Sequence, residues 1–188
     1  MSSVADTVAP MALTQYYVAS SLDGFIADSS DRVDWLLEFG FEAFDEHYQR
    51  FLSGIGAIVM GAATYDFLLA DPTLQWPYTG IPTWVVTHRT LPVVDGAEIT
   101  FFEGDVAQLD AEVRETAGDR NVWVVGGGAI AAQFADAGLL DELHVTYMPV
   151  LVGSGKPLLP VSRVSRPLEL LRTTPFPGGA VEHVYRLA

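Results

Sequence analysis

Three glycines follow a hydrophobic run in the middle of the chain, and the segment after them is rich in alanine. The run is Val122–Val125, the glycines are Gly126–Gly128, and Ala129 and Ile130 follow. Glycine lets the backbone approach a ligand with no Cβ in the way, and the free N–H groups of a helix start bind anions. A strand, a glycine turn and a helix start in this order predict a site for a dinucleotide's phosphates.

Two more strand ends carry groups that suit a nucleotide. Gly61 follows an apolar run, and Thr64 in the next turn can offer its hydroxyl to a phosphate. Thr87, His88 and Arg89 follow another apolar run and bring two hydrogen-bonding side chains and a guanidinium. Because parallel α/β sheets bind ligands beyond the carboxyl ends of their strands, we expect all three turns to share one edge.

A Rossmann dinucleotide domain does not fit the glycine turn. Gly126 to Ala131 matches the loose pattern G-x-G-x-x-A, but the turn lies two-thirds along the chain. The Rossmann motif belongs in the first βα turn, with an acidic residue at the end of the next strand. Here the next strand ends in Tyr147-Met148-Pro149, so this interpretation is rejected.

Composition limits the class of protein. Of the 188 residues 49% are hydrophobic, which is enough for a large core. The net charge of −14, with one lysine and nine arginines, argues against nucleic acid and anionic membrane surfaces as partners, because both need a basic footprint. No apolar run is long enough for a membrane helix, and no signal peptide is evident. We expect a soluble cytoplasmic protein.

Metal and thiol chemistry are not expected. The chain has no cysteine, which removes thiolate ligands and nucleophiles. The four histidines, His47, His88, His144 and His183, show no metal-ligand spacing. The sequence therefore predicts no metal site.

Strands alternate with helices along most of the chain. This alternation predicts a mostly parallel sheet covered on both faces, followed by a C-terminal antiparallel pair. We expect a loose tail over residues 1–13 and one domain over 14–188. The expected strands are 15–20, 57–60, 83–87, 98–102, 121–125, 142–151, 168–174 and 180–187. The expected helices are 41–54, 62–70, 106–117 and 129–137. The third of these helices would begin after an Asp105 cap and end at Gly118.

These segments together resemble the dihydrofolate reductase superfamily, most closely the RibD C-terminal reductase domain of riboflavin biosynthesis and its stand-alone bacterial relatives. The resemblance implies a three-layer α/β/α fold with about eight strands and a homodimer. The six segments that carry it, in order, are 18–27, 60–65, 87–89, 125–128, 139–143 and 149–158.

The resemblance implies a pyridine-nucleotide reductase, usually NADPH-dependent with NADH as the alternative. A hydride would pass to a small heterocycle or a sugar-derived carbonyl or imine. Gly126 and Gly127 would flank a cis peptide. The implied cofactor contacts are Ala19 and Ile26 to the nicotinamide, Gly61 and Thr64 to the phosphates, Thr87, His88 and Arg89 to the adenosine ribose and its 2′-phosphate, and Gly126, Gly127, Gly128, Ala129 and Ile130 around the pyrophosphate.

A proton donor would assist hydride transfer to a C=N or C=O bond. Asp45 falls where folate reductases keep a buried carboxylate, and Thr146 where the family's threonine bonds that acid. A carboxylate among aromatic side chains would have a raised pKa. Trp35 and Tyr147 are the expected substrate contacts beside Asp45, and Asp34 is a competing acid.

The substrate and the catalytic status stay open at this point. Folate reduction lacks an arginine pair for a glutamate tail. The phosphate of an aminouracil substrate would need Lys156 with Arg163 or Arg166. Ala62 and Ala129 replace basic or polar residues of the family, which favours the alternative of a non-catalytic, nucleotide-binding regulatory homodimer.

Overall fold

The computed structural model of the chain describes residues 12–70 and 75–187. The tail expected over residues 1–13 falls outside these ranges, apart from its last two residues. Ten strands are present in the described ranges: β1 Thr14–Ser21, β2 Phe25–Asp28, β3 Ile55–Gly61, β4 Thr83–Val86, β5 Ile99–Phe102, β6 Asn121–Gly126, β7 Glu142–Met148, β8 Gly155–Pro157, β9 Glu169–Pro175 and β10 Val181–Arg186.

Eight of these strands form the main sheet, in the order β5-β4-β3-β6-β1-β7-β10-β9. Neighbouring strands from β5 to β7 pair in parallel, whereas β10 pairs antiparallel with both β7 and β9. The predicted fold class, a mostly parallel sheet with a C-terminal antiparallel hairpin, is confirmed.

Helices cover the two faces of this sheet, as the alternation predicts. Their bounds are α1 Asp34–Leu37, α2 Asp45–Ser53, α3 Ala62–Leu69, α4 Val106–Ala117 and α5 Gly128–Asp136. The N-cap of α4 is Asp105, whose carboxylate accepts a hydrogen bond from the Ala107 backbone N–H at 2.7 Å. Gly118 ends this helix with a positive φ of 66°. Both predicted boundaries of α4 are confirmed.

Side chains on the two faces of the sheet form separate cores. Tyr16 and Val124 pack with α4 and α5 on one face, through residues such as Phe134. Trp123 and Tyr65 belong to the core of the other face, where α3 lies. We call these the α5 face and the α2 face, because α2 also packs on the second one.

An aromatic cluster fixes α2 to the sheet. The ring of Phe51 stacks on Tyr17 of β1 with centroids 4.3 Å apart, and Trp123 meets Phe51 edge-on at 5.4 Å. Such pairs contribute about 0.5–1.5 kcal/mol beyond their area burial. Phe44, Tyr48 and Phe51 share one side of α2 at helical spacing, so the aromatic contacts set which side of the helix faces the sheet.

Beyond small shifts of the strand ends, the structure differs from the prediction at helix α1, which the sequence did not predict, and in three further respects. Helix α2 begins at Asp45 rather than at residue 41, and β7 ends at Met148 because Pro149 cannot continue a ladder. Strands β2 and β8 form a small antiparallel ribbon beside the main sheet, which the sequence did not predict. None of the helices in the described ranges combines the length and the apolar character needed to cross a membrane.

Candidate functional site at the carboxyl edge of the sheet

The three polar strand ends lie side by side. Gly61 at the end of β3 pairs with Val86 at the end of β4, and Met60 pairs with Gly126 at the end of β6. Thr87 directly follows Val86. The parallel register therefore brings the three turns to one edge, as predicted.

Distances around the glycines show how closely the turns meet. A Cβ built on Gly126 would lie 3.4 Å from the Thr64 hydroxyl oxygen, and one built on Gly127 would lie 3.9 Å from Ile26 Cδ1. A Cβ on Gly61 would lie 3.8 Å from Ile130 Cγ2 and 4.0 Å from the carbonyl oxygen of Gly126. Residues predicted to surround one cofactor thus come from β2, β3, α3, β6 and α5.

Two helices begin at this edge without a side-chain cap. Gly61 is the N-cap residue of α3 and Gly127 that of α5, and neither helix has a side-chain hydrogen bond at its N-cap. The first backbone N–H groups of a helix have no intrahelical partner and favour anions. These two starts therefore suit the phosphates of a dinucleotide. The peptide between Gly126 and Gly127 is cis, which confirms that prediction.

Gly128 has a packing role that its neighbours lack. A Cβ there would come within 2.4 Å of the Pro157 carbonyl oxygen and 2.6 Å of that of Leu158. The backbone after β8 leaves no room for any other residue. A ligand contact of Gly128 remains a prediction that would involve its N–H group alone.

Strands β1 and β6 part at the same edge. Their pairing runs from Thr14 opposite Val122 only as far as Tyr16 opposite Val124, although β1 continues to Ser21. On its other side β1 stays paired with β7, where Ala19 lies opposite Thr146. Beyond Tyr16, β1 therefore turns one backbone edge towards a gap rather than towards β6.

Arg89, the predicted cation for a 2′-phosphate, already has a partner. Its guanidinium donates to the Asp66 carboxylate of α3 at 2.6 Å, and both side chains are about half exposed. The Arg89 backbone N–H donates to the Thr87 hydroxyl at 3.0 Å. His88 is exposed. Any 2′-phosphate would compete with Asp66 for the guanidinium.

The expected burial of Asp45 is wrong. Asp45 is exposed, and its carboxylate accepts a hydrogen bond from Gln49 at 3.3 Å. The side of α2 that carries Phe44, Tyr48 and Phe51 faces the sheet, so position 45 faces solvent. No hydrogen bond joins Asp45 to Thr146 in the part of the chain that the structure describes. A catalytic role of Asp45 thus loses the physical basis given for it.

The buried carboxylate of the α2 face belongs to Glu182 on β10. Its side chain is 0% exposed; one oxygen lies 2.8 Å from His47 Nε2, and the other accepts from the Arg172 guanidinium at 3.2 Å. Glu182 lies directly opposite Thr146. The sequence analysis missed this cluster. His47 had a usable signal, since it lies three residues after Phe44 and four before Phe51, on the inward side of α2.

The two aromatic residues expected near the substrate behave differently. Tyr147 lies on the α5 face, packed against that core, because neighbours along a strand point to opposite faces. It therefore cannot share a pocket with Thr146, which points to the α2 face. Trp35 is half-buried in α1, and its indole nitrogen is buried with no hydrogen-bond partner within the described ranges. Its substrate role remains a prediction.

Basic residues proposed for a substrate phosphate lie elsewhere on the surface. Lys156 pairs with Asp31 at 3.2 Å, with both side chains mostly exposed. Arg163 reaches the Asp136 carbonyl oxygen at 3.5 Å. Within the described ranges, no group of three acidic or histidine side chains is arranged to hold a metal ion.

A cavity of about 340 Å³ lies between α2 and strands β1, β6, β7 and β9 on the α2 face. It is distinct from the glycine edge, because its sheet residues come largely from the amino ends of the parallel strands. His47 lies on its wall, above Glu182. The lining residues are Gln15, His47, Arg50, Phe51, Gly54, Asn121, His144, Arg172 and Thr174.

The sequence matches the RibD C-terminal domain over residues 14–181. The uncharacterized protein YwjB of Bacillus subtilis (strain 168) is 31% identical over 172 residues, which are 92% of this chain and 96% of that protein. Similarity at this level covers the whole described fold rather than the glycine turns alone.

Two solved structures share the fold. A candidate riboflavin biosynthesis protein from Shewanella sp. PV-4 superposes with a TM-score of 0.81 at 24% identity, covering 94% of this chain and 99% of that one. Dihydrofolate reductase from Enterococcus faecalis, complexed with NADP(H), gives a TM-score of 0.62 at 16% identity, covering 94% and 96% of the two chains.

Proposed function

We propose that this chain, which belongs to the RibD C-terminal domain family, is a reductase that uses NADPH, with NADH as the alternative. The hydride acceptor would be a small heterocycle or a sugar-derived carbonyl or imine. Reductases of this fold and family support the proposal in its general form. The cofactor and the class of acceptor are the parts that need an experiment.

One observation carries the proposal: two uncapped helix starts and a parting of β1 from β6 share one sheet edge. Phosphates bind at helix starts, and a planar ring needs a slot lined by backbone and small side chains. Both are available within the reach of one dinucleotide. The open positions over Gly61 and Gly127, where an added Cβ meets no atom closer than 3.8 Å, fit such a ligand.

The proposed contacts follow from these positions. Gly61, Thr64 and Gly127 would bind the phosphates through N–H groups and a hydroxyl, while Ala19 and Ile26 would border the nicotinamide. When bound, the reduced dinucleotide supplies the hydride. The protein's own contribution is to orient the acceptor, exclude water and hold a proton near the acceptor's nitrogen or oxygen.

The test of this proposal is a thermal melt followed by a turnover assay. A ligand at 100 times its Kd stabilises a protein by about 2.7 kcal/mol, which raises the Tm by about 5–10 °C for a chain of this length. NADPH, NADH and 2′-AMP are compared at equal concentration. We expect a shift with the dinucleotides, larger for NADPH if Arg89 binds the 2′-phosphate. No shift with either dinucleotide would refute the proposal.

Turnover then separates catalysis from binding. Oxidation of the dinucleotide is followed at saturating concentration with 5-amino-6-(5-phosphoribosylamino)uracil, dihydrofolate and simple carbonyl and imine compounds. We expect oxidation with at least one acceptor. Lys156 and Arg163 lie at surface positions that do not form a phosphate site. This placement favours acceptors without a phosphate group.

The exposure of Asp45 favours a second candidate function. Without the expected acid, the fold can serve as a non-catalytic, nucleotide-binding regulatory homodimer. Dinucleotide binding without oxidation across the acceptor panel, together with a dimeric mass in solution, would support this candidate over the reductase.

A further inference from the structure

Glu182, His47 and Arg172 form a cluster that brings together α2, β10 and β9. The Glu182 side chain is 0% exposed, whereas the side chain of His47 is 18% exposed. A buried carboxylate is strongly destabilising unless it is paired and hydrogen-bonded. Both partners come from other parts of the chain: His47 lies 135 residues before Glu182, and Arg172 lies 10 residues before it. The cluster shields the carboxylate while leaving part of the imidazole within reach of a ligand.

The contact at 2.8 Å fixes which imidazole nitrogen carries the proton. An ionised carboxylate only accepts hydrogen bonds, and the Arg172 guanidinium donates to its other oxygen. His47 therefore donates from Nε2. Its Nδ1 makes no hydrogen bond to any residue in the described ranges, so that nitrogen is free to exchange a proton with a ligand.

The sheet register places this cluster in line with the proposed nicotinamide wall. Ala19 lies opposite Thr146, and Thr146 lies opposite Glu182. All three belong to the α2 face, because Tyr17 and His144, two residues earlier in β1 and β7, pack on Phe51 of α2. With strands about 4.8 Å apart, Ala19 and Glu182 are separated by about 10 Å, and an acceptor over Thr146 would lie between them.

Charged, titratable and aromatic side chains lie close to His47. Glu182 and Arg172 approach from the hairpin, Tyr17 lies 6.2 Å away on β1, and Phe176 meets the imidazole edge-on at 5.2 Å. His144 lies in the same aromatic cluster, next to Tyr17. Burial, followed by the charge of Glu182, raises the pKa of the Tyr17 hydroxyl. Tyr17 therefore stays neutral, and the imidazole of His47, which contacts Glu182 and is partly exposed, is the group placed to pass a proton to a ligand.

We infer that His47 is the catalytic acid of the reduction and that Glu182 is its positioning residue. This inference rests on the proposed function. Reduction of a C=N or C=O bond adds a hydride to carbon and a proton to nitrogen or oxygen. The hydride comes from the reduced nicotinamide, which ends oxidised. The proton leaves Nδ1 of the His47 imidazolium, and the Nε2 proton remains bonded to Glu182.

The inference also assigns the cavity under α2. Because His47 and Arg172 line it, the polar end of an acceptor whose ring lies over Thr146 would extend into this space. The acceptor class is thus a small, polar heterocycle with a basic nitrogen or a carbonyl oxygen directed at α2.

Activity of matched variants tests the assignment. His47→Gln keeps a donor for Glu182 and removes the acid, and His183→Gln is the control, since His183 lies beside Glu182 in sequence but on the other face of β10. We expect His47→Gln to lower kcat about 100-fold or more with the dinucleotide Kd within about 2-fold, and Glu182→Gln to lower kcat by a smaller factor.

A spectroscopic readout tests the same geometry without turnover. In protein labelled with ¹⁵N-histidine, long-range ¹H–¹⁵N spectra report the tautomer of each imidazole, and His47→Gln assigns the His47 signals. We expect neutral His47 to carry its proton on Nε2 and to lose this preference in Glu182→Gln. A proton on Nδ1 in the wild type would overturn the inference.

The outcomes separate this inference from the proposed function. Failure of the dinucleotides to shift the melt refutes the proposed function before any variant is made. Turnover that His47→Gln leaves within about 3-fold of wild type, or that Asp45→Asn abolishes instead, overturns the His47 assignment alone. Dinucleotide binding with no acceptor reduced also overturns it, because the assigned acid then has no reaction to serve.

Discussion

Three helices begin at the same edge of the sheet, but their first turns differ. Helix α4 follows the edge strand β5 and begins at Asp105, whose carboxylate bonds the second N–H group at 2.7 Å. Helices α3 and α5 follow β3 and β6 near the centre and begin at Gly61 and Gly127, with no side-chain cap. The peripheral helix is closed by its own sequence, while the two central helices leave their N–H groups available.

The difference shows how one edge can serve both stability and binding. A glycine N-cap is less stabilising than a polar side-chain cap by only about a few tenths of a kcal/mol, so the two neighbouring helices give up little stability. Without these caps, the first N–H groups of α3 and α5, which carry partial positive charge, face the same space. The capped helix supplies a built-in reference for experiments on the uncapped ones.

The largest effect is expected from closing one of the open helix starts. Gly61→Asp fits the extended backbone of Gly61, with φ of −82° and ψ of 162°, and would cap α3 while placing a negative charge where a phosphate is proposed. We expect dinucleotide affinity to fall about 100-fold, since like charges about 4 Å apart near a protein surface repel by several kcal/mol. Titration calorimetry with NADPH and NADH measures the change.

Gly61→Asn is the matched control for this change. Asparagine caps a helix about as well as aspartate but adds no charge, so its affinity should lie between those of the wild type and Gly61→Asp. Wild-type affinity in Gly61→Asp would show that the α3 start does not bind phosphate. The missing cap of α3 would then have no link to ligand binding.

A smaller effect is expected from opening the closed helix. Asp105→Ala removes the α4 cap, and we expect a loss of about 1 kcal/mol in the free energy of unfolding, or about 2–4 °C in Tm. Urea unfolding checks the stability, and calorimetry checks the dinucleotide Kd, which should not change. Asp105→Asn should retain most of the stability. A change in Kd with Asp105→Ala would mean that α4 also takes part in binding.

The smallest effect concerns the ion pair at the side of α3. Asp66→Asn frees the Arg89 guanidinium, and we expect NADPH affinity to rise severalfold with NADH affinity unchanged. The gain is limited because exposed ion pairs contribute at most about 1 kcal/mol. Glu46→Gln, which removes the exposed Arg50 pair of α2, is the control. Equal gains for NADPH and NADH would exclude Arg89 as the reader of the 2′-phosphate.

The sequence predicts the bounds of α4 and the ends of β3 and β6 well, because local chemistry determines them. Asp105 and Gly118 carry the bounds of α4 in their own residue types, and the apolar runs before Gly61 and Gly126 end where the strands end. The meeting of these turns follows from the parallel order of the strands. This part of the candidate site needed no knowledge of distant contacts.

The proton-donor region was not predictable in the same way. A count back from Met60 placed Asp45 in the pocket, but the aromatic side of α2 turns position 45 to solvent. Glu182 lies between Val181 and His183 in β10. From the residue types alone, the odd-numbered positions of this strand would be taken as the buried ones. Its burial depends on His47, which is 135 residues earlier, and no local pattern carries that pairing.

The central position of β1 has a consequence for how the molecule is made. Its two neighbours, β6 and β7, begin at Asn121 and Glu142, so the strand synthesised first must wait for partners more than 100 positions later. At ribosomal rates of about 5–20 residues per second, that delay is roughly 5–25 s. The nascent chain thus carries β1, which is largely buried in the folded protein, without its two partners during this delay, so early chaperone contact at this segment is expected.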